Sequence, residues 1–199
     1  TSFVMTNTYP VAKYIIIEDG LCLRSEEIVC EILKGLDFDY IRNVENLGQL
    51  KSIDVAYSRI CTDYVFHMEE DWTFSRGGFI ERSLELLKAD ERCLYMSLRA
   101  ANDQQGHPVR RSRLNDAYLE CSPFWKGCWV GFGFNPSLRR MSDYDCLIGG
   151  ASSYNSREIG IGIFYYMIGR RIFVLDYKEL PFVLHTGQDC SSEGLFSKA

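Results

Sequence analysis

Several features that would each point to a class of function are missing from this chain. No apolar run approaches the roughly 18 residues of a membrane-spanning helix, and no signal-peptide pattern opens the sequence. There is no long basic run. With 22 Lys and Arg against 27 Asp and Glu, the net charge is −5, which argues against general nucleic-acid binding. Arg110, Arg111 and Arg113 make a local basic cluster that reads as a solvated loop. The eight cysteines contain no C-x-x-C pair, so zinc is not expected and the thiols are read as mostly reduced. No internal repeat, low-complexity tract or linker is visible, and no Gly-rich basic loop accompanies the first strand. What remains is 199 residues, 46% hydrophobic, enough for one substantial core. The expectation is one domain over 1–199, in a cytoplasmic protein, with a membrane-peripheral or virus-encoded one as the variants.

The hydrophobic pattern alternates in the first half. Residues 11–17, apolar but for Lys13, form a run that ends in Glu18-Asp19-Gly20, as a strand buried on both faces would. A helix is expected over 24–33, with Ser25 as N-cap and Gly35 as stop, then a strand over 38–44 that ends at Asn46-Leu47-Gly48. Leu50, Ile53, Tyr57 and Ile60 have helical spacing, 64–68 reads as a strand, Gly77-Gly78 opens a helix through 87, and 93–98 is another strand. Strand and helix in alternation imply a parallel sheet covered on both faces. In the second half, 100–115 reads as a polar excursion from the sheet, and Asn135-Pro136 as a helix start. A buried helix is expected over 158–168, and strands over 171–175 and 182–184 close the sheet. The chain opens on Thr1-Ser2-Phe3, which reads as the end of a helix, so an upstream strand and helix are expected to precede it.

The segment Tyr64-Val-Phe-His-Met-Glu-Glu-Asp-Trp72 runs a buried-looking strand into three adjacent carboxylates. Buried acids need a cation or a proton, and ligands of open α/β sheets bind at the carboxyl ends of strands. Glu69 and Asp71, one residue apart, suit oxygen ligation of Mg²⁺ or Mn²⁺ with positions left for phosphate. Glu70 points to the opposite face if strand geometry persists. A solvated acidic turn is the plainer alternative. His67, inside the strand, reads as a core histidine, and His107 as a solvated one.

These motifs, in their order, resemble nucleotide-sugar glycosyltransferases of the GT-A fold, family 2-like, and in particular a bacterial and viral subgroup. Ile15-Ile-Ile-Glu18-Asp19-Gly looks like the family's second strand, Asn46-Leu-Gly48 like its N-x-G segment, and Glu69-Glu-Asp71 like its D-x-D signature. Phe132-Gly-Phe-Asn-Pro136 with Leu138-Arg-Arg140 resembles the acceptor-side segment. Glu158 opens a helix as the family's catalytic acid does, and His185-Thr-Gly187 matches a terminal H-x-G.

The resemblance implies an α/β, Rossmann-like sheet, mostly parallel with helices on both faces. It also implies transfer of a sugar from a nucleoside-diphosphate sugar, a UDP-sugar foremost, to a hydroxyl of a glycan or another acceptor, by an inverting route. Glu18, Asp19, Asn46, Gly48 and Glu69 would contact the donor nucleotide, Asp71, Glu69 and His185 a Mn²⁺ or Mg²⁺ ion, and Glu158 would be the base. Trp129 and Phe132 would form an acceptor lip. The sequence departs from the family in lacking the second acid beside Glu158, whose place at a helix start the macrodipole also favours. A nucleotidyltransferase of related topology and a non-catalytic nucleotide- or sugar-binding domain are the alternatives.

Overall fold

The computed structural model describes residues 2–20, 25–104, 106–112, 118–126, 130–154 and 157–186. In chain order the elements are α1 (Ser2–Thr6), β1 (Tyr14–Asp19), α2 (Ser25–Ile32), β2 (Phe38–Asn43), α3 (Gln49–Tyr57), β3 (Tyr64–His67), β4 (Trp72–Phe74), α4 (Phe79–Ala89) and β5 (Cys93–Ser97). There follow β6 (Val109–Arg111), β7 (Leu119–Cys121), β8 (Ser137–Arg140), α5 (Met141–Asp145), a 3₁₀ turn (Ala151–Ser153), α6 (Arg157–Met167), β9 (Arg171–Val174) and β10 (Val183–His185).

The fold is α/β with mixed strand pairing. β1 and β2 pair in parallel, as do β5 and β9. β3 pairs antiparallel with β8, β10 with β4, and β7 with both β6 and β9. β8 also runs beside β5, which links β3 to the four-stranded β5-β9-β7-β6 sheet. Alternation along the strands divides the core in two, because successive side chains leave a strand on opposite faces. Tyr64 and Phe66 of β3, Met96 of β5 and Phe173 of β9 face α1 and α4. Val65, Tyr95, Ile172 and Val174 face α3 and α6.

Three local expectations are corrected. Asn135-Pro136 does not open a helix: Ser137–Arg140 is a buried strand that pairs with β3, and a helix begins only at Met141. The pairing partners of β8, invisible locally, decide the matter. The 100–115 segment does not wholly leave the sheet, since β6 pairs with β7, and there Arg110 meets the buried carboxylate of Glu120. The last strand joins β4 rather than the central sheet. Of the cysteines, Cys30, Cys61, Cys93, Cys121 and Cys146 are free thiols. Among the described residues no helix is long and apolar enough to cross a membrane.

Candidate active site

Parallel pairing sets Glu18 opposite Arg42 and Asp19 opposite Asn43 at the ends of β1 and β2. Asp19 then builds the next loop. Its Oδ1 accepts from the N–H of Leu47 at 2.8 Å and from Asn43 Nδ2 at 3.0 Å, and its Oδ2 accepts from the N–H of Gly48 at 2.8 Å. Burial works to raise the pKa of Asp19, but the bonds from Asn43, Leu47, Ser52 and Gly48 outweigh it and hold the carboxyl below its ordinary value. Asn46 donates to Asp19 O at 3.4 Å, and its own Oδ1 accepts from Gly48 N–H at 3.0 Å. Gly48 caps α3 at φ +83°, a left-handed conformation that favours glycine. Asp19, Asn46 and Gly48 thus come together as one braced loop. The side chain of Glu18, half-buried, has no hydrogen bond or ion pair among the described residues.

The first residue of α3, Gln49, carries this brace to the acids. Its Nε2 donates to Glu69 Oε1 at 2.6 Å. Burial raises the pKa of Glu69, the like charges of Asp71, Glu158 and Glu70 raise it further, and the Gln49 bond works in the opposite direction. Glu69 therefore sits in a field of other acids. Glu70, between the two half-buried acids, is exposed.

Asp71 is tied to the far end of the chain. Its Oδ2 lies 2.8 Å from His185 Nε2, and its carbonyl accepts from Thr186 N–H at 2.8 Å and from Thr186 Oγ1 at 2.9 Å. The pairing of β10 with β4, which sets His185 opposite Trp72, makes this possible. Among the described residues, Asp71 Oδ1, His185 Nδ1 and Trp72 Nε1 are buried without a hydrogen-bond partner. An orphaned carboxylate oxygen beside an imidazole suits a divalent cation. Among the described residues no three His, Cys, Asp or Glu side chains surround a common point.

Glu158, in the first turn of α6, accepts at Oε1 from the N–H of Phe134 at 2.7 Å. The acceptor lip changes at Phe132. Its ring is 1% exposed and packs against Tyr95, Phe134 and Tyr165, because the aromatic run fills the space under α6. Trp129 and Gly187 lie outside the described residues. His67 is a core histidine as expected, with Nδ1 3.1 Å from Tyr57 Oη and a pKa pushed down to about 3 by burial and then by Arg139. His107 is not solvated: it is 5% exposed, with Nε2 2.7 Å from Ser122 O.

Sequence reasoning missed Gln49 and Tyr95, and named Arg139 only within the acceptor-side likeness of Leu138-Arg-Arg140. Gln49 was findable, since it follows the Asn46-x-Gly48 turn directly; Tyr95 gave no local signal. A cavity of about 810 Å³ lies elsewhere, at the opposite end of β3 among Tyr57, Ser58, Asp63, Tyr64, Ser142 and Asp145.

No protein-family model matches the chain, and no curated protein matches it in sequence. Solved structures do. S. aureus TarS residues 1–349 in complex with UDP superimposes with a TM-score of 0.60 at 14% identity, over 89% of this chain and 52% of that one. The mannosyltransferase PcManGT from Pyrobaculum calidifontis, in complex with GDP-Man and Mn²⁺, gives 0.61 at 12% identity, over 90% and 52%. A longer S. aureus TarS structure gives 0.62 at 12% identity, over 90% and 32%. The chain thus spans about half the length of the first two. The architecture it shares with these structures is the GT-A fold.

Proposed function

We propose that residues 1–199 form one glycosyltransferase domain that moves a sugar from a nucleoside-diphosphate sugar, a UDP-sugar foremost, to an acceptor hydroxyl of a glycan or similar molecule. The observation that carries this reading is the Asp71–His185 pair, with its orphaned carboxylate oxygen, beside Glu69 and Glu158. The likeness to structures holding UDP, or GDP-Man with Mn²⁺, supports it.

In this reading Asp71 and His185 hold the ion, Mn²⁺ or Mg²⁺, and Glu69 lies within the same acidic field. When bound, the ion supplies charge neutralisation for the departing diphosphate. The Asp19-braced loop of Asn46 and Gly48, with the uncommitted carboxylate of Glu18 beside it, receives the nucleoside. The bonds of Asp19 to Leu47 and Gly48 make it the support of that subsite and leave Glu18 the acid able to reach a ribose or base.

Glu158 takes the proton of the acceptor hydroxyl as that oxygen attacks the anomeric carbon from the face opposite the diphosphate, which inverts the configuration. Phe134 N–H holds one carboxylate oxygen at 2.7 Å and leaves the other for the acceptor. Trp129 remains the proposed acceptor contact.

A thermal-shift screen of UDP-glucose, UDP-N-acetylglucosamine and GDP-mannose, each with and without Mn²⁺, tests the reading. Binding to the folded state raises the melting temperature by mass action. A shift by one donor that requires the metal is expected, and no shift by any donor or by free UDP and GDP would sink the proposal.

A further inference from the structure

Gly133 has both backbone groups taken by side chains from the core behind it. Its N–H donates to Tyr95 Oη at 3.1 Å, and its carbonyl accepts from Arg139 Nη2 at 2.7 Å. Tyr95 Oη also reaches Gly131 O at 3.5 Å, while Arg139 Nε donates to Ser137 Oγ at 3.0 Å. The Arg139 guanidinium lies 4.8, 5.2 and 4.9 Å from the ring centroids of Tyr95, Phe132 and Phe134.

Arg139 is 7% exposed, and no carboxylate forms an ion pair with it among the described residues. A buried cation without a counter-ion is costly, and aromatic faces and carbonyl oxygens offset only part of that cost. Such an arrangement is worth keeping where the segment it grips must not move.

The residue after Gly133 shows what is gripped. Phe134 N–H is the donor to Glu158 Oε1. A side chain at 133 would crowd the same place, since a Cβ there would lie 3.2 Å from Asn135 Nδ2 and 3.4 Å from Glu158 Oε1. The loop is therefore fixed on its core side by Tyr95 and Arg139 and holds Glu158 on the other.

We propose that Tyr95 and Arg139 are positioning residues for Glu158: by clamping both backbone groups of Gly133 they aim the Phe134 N–H, and through it the Glu158 carboxylate. This rests on the reading of Glu158 as the base. Neither residue reaches the reacting atoms. Their effect is on the orientation of the carboxylate, and errors of that kind lower the rate of the chemical step more than binding.

Tyr95→Phe is the cleanest test, because it removes the hydroxyl and leaves the ring against Arg139. Amide hydrogen exchange across 131–135 is expected to quicken about tenfold while other core amides keep their protection, by loss of a local restraint. Hydrolysis of UDP-glucose or GDP-mannose with Mn²⁺, whichever the screen selects, is expected to lose about tenfold in kcat at unchanged KM. Arg139→Lys keeps the charge without the planar fork and is expected to change the same two readouts in the same direction.

Unchanged exchange across 131–135 in Tyr95→Phe would overturn the clamp without reference to any donor. Glu158→Gln separates the clamp from the base assignment. Full turnover in Glu158→Gln would overturn the base reading and the positioning role with it. An inactive Glu158→Gln beside a fully active Tyr95→Phe would overturn the positioning role alone.

Discussion

Two groups of acids stand at opposite ends of the β3–β8 pair, and they are treated in opposite ways. Asp143, in α5 just past the end of β8, is 1% exposed and meets two cations, Arg170 at 2.7 Å and Arg140 at 3.1 Å. Arg140 continues to the carbonyls of Cys93, Leu87 and Asp90, so every charge in that group is bonded. At the other end, Glu69, Asp71 and Glu158 face one another with no Lys or Arg paired to them among the described residues. Their partners are an amide, an imidazole and a backbone N–H. Neutralised acids build structure, whereas half-buried acids left without a cation are candidates for a ligand that arrives from outside.

The comparison is broken most severely at Asp143. Asp143→Ala strands Arg140 and Arg170 and is expected to cost about 3–5 kcal/mol of unfolding free energy, read from urea denaturation. Asp71→Ala should do the reverse, with stability within about 1 kcal/mol of the parent and donor hydrolysis reduced about 10²–10³-fold. Similar stability losses in the two variants would erase the distinction between the ends.

The next effect is on pH dependence. His67 has a folded pKa pushed down to about 3, below its unfolded value, so the unfolded chain takes up the proton first. Stability is full above the unfolded pKa of about 6.5 and falls by roughly 1.4 kcal/mol per pH unit as pH drops below it. His67→Asn is expected to flatten the melting-temperature profile between about pH 7 and pH 5, above the range where ordinary carboxylates titrate. A profile as steep as that of the parent would place the acid sensitivity on another group. The smallest effect is at Gly48. At φ +83° with open space around it, Gly48→Ala should cost about 1 kcal/mol of stability through strain alone, measured by the same denaturation.

These contrasts also mark what could be read without coordinates. The carboxyl-end acids were legible because the three isoleucines before Glu18 and the apolar run before Glu69 announce strands by composition. Glu70 is the exposed acid of Glu69-Glu70-Asp71, but not through the two-residue period of a strand, since β3 ends at His67 and Glu70 lies in the turn beyond it. The pairing of Asp71 with His185, 114 residues away, depended on the order of motifs and was expected only through the family likeness.

Residues whose environment comes from distant partners were not legible. Ser137–Arg140 contains two arginines and follows a proline, so nothing local suggests a buried strand. Three aromatic rings and a set of backbone carbonyls, all distant in sequence or on the neighbouring loop, make it one. His107 is buried through the loop that pairs β6 with β7, and Phe132 through the helix above it. For Asp19 the acid was legible but not its task, because the N–H groups it accepts from belong to a loop 28 and 29 residues later.

The central claim is that the acidic end of β3 holds a divalent ion together with a diphosphate. Titration of Mn²⁺ into the protein with and without UDP or GDP, followed by electron paramagnetic resonance of the free ion, tests it most directly. The account predicts Mn²⁺ binding that one of the nucleotides strengthens and that Asp71→Ala abolishes while the circular dichroism spectrum is unchanged. Equal Mn²⁺ affinity in the parent and in Asp71→Ala, with either nucleotide present, would contradict it.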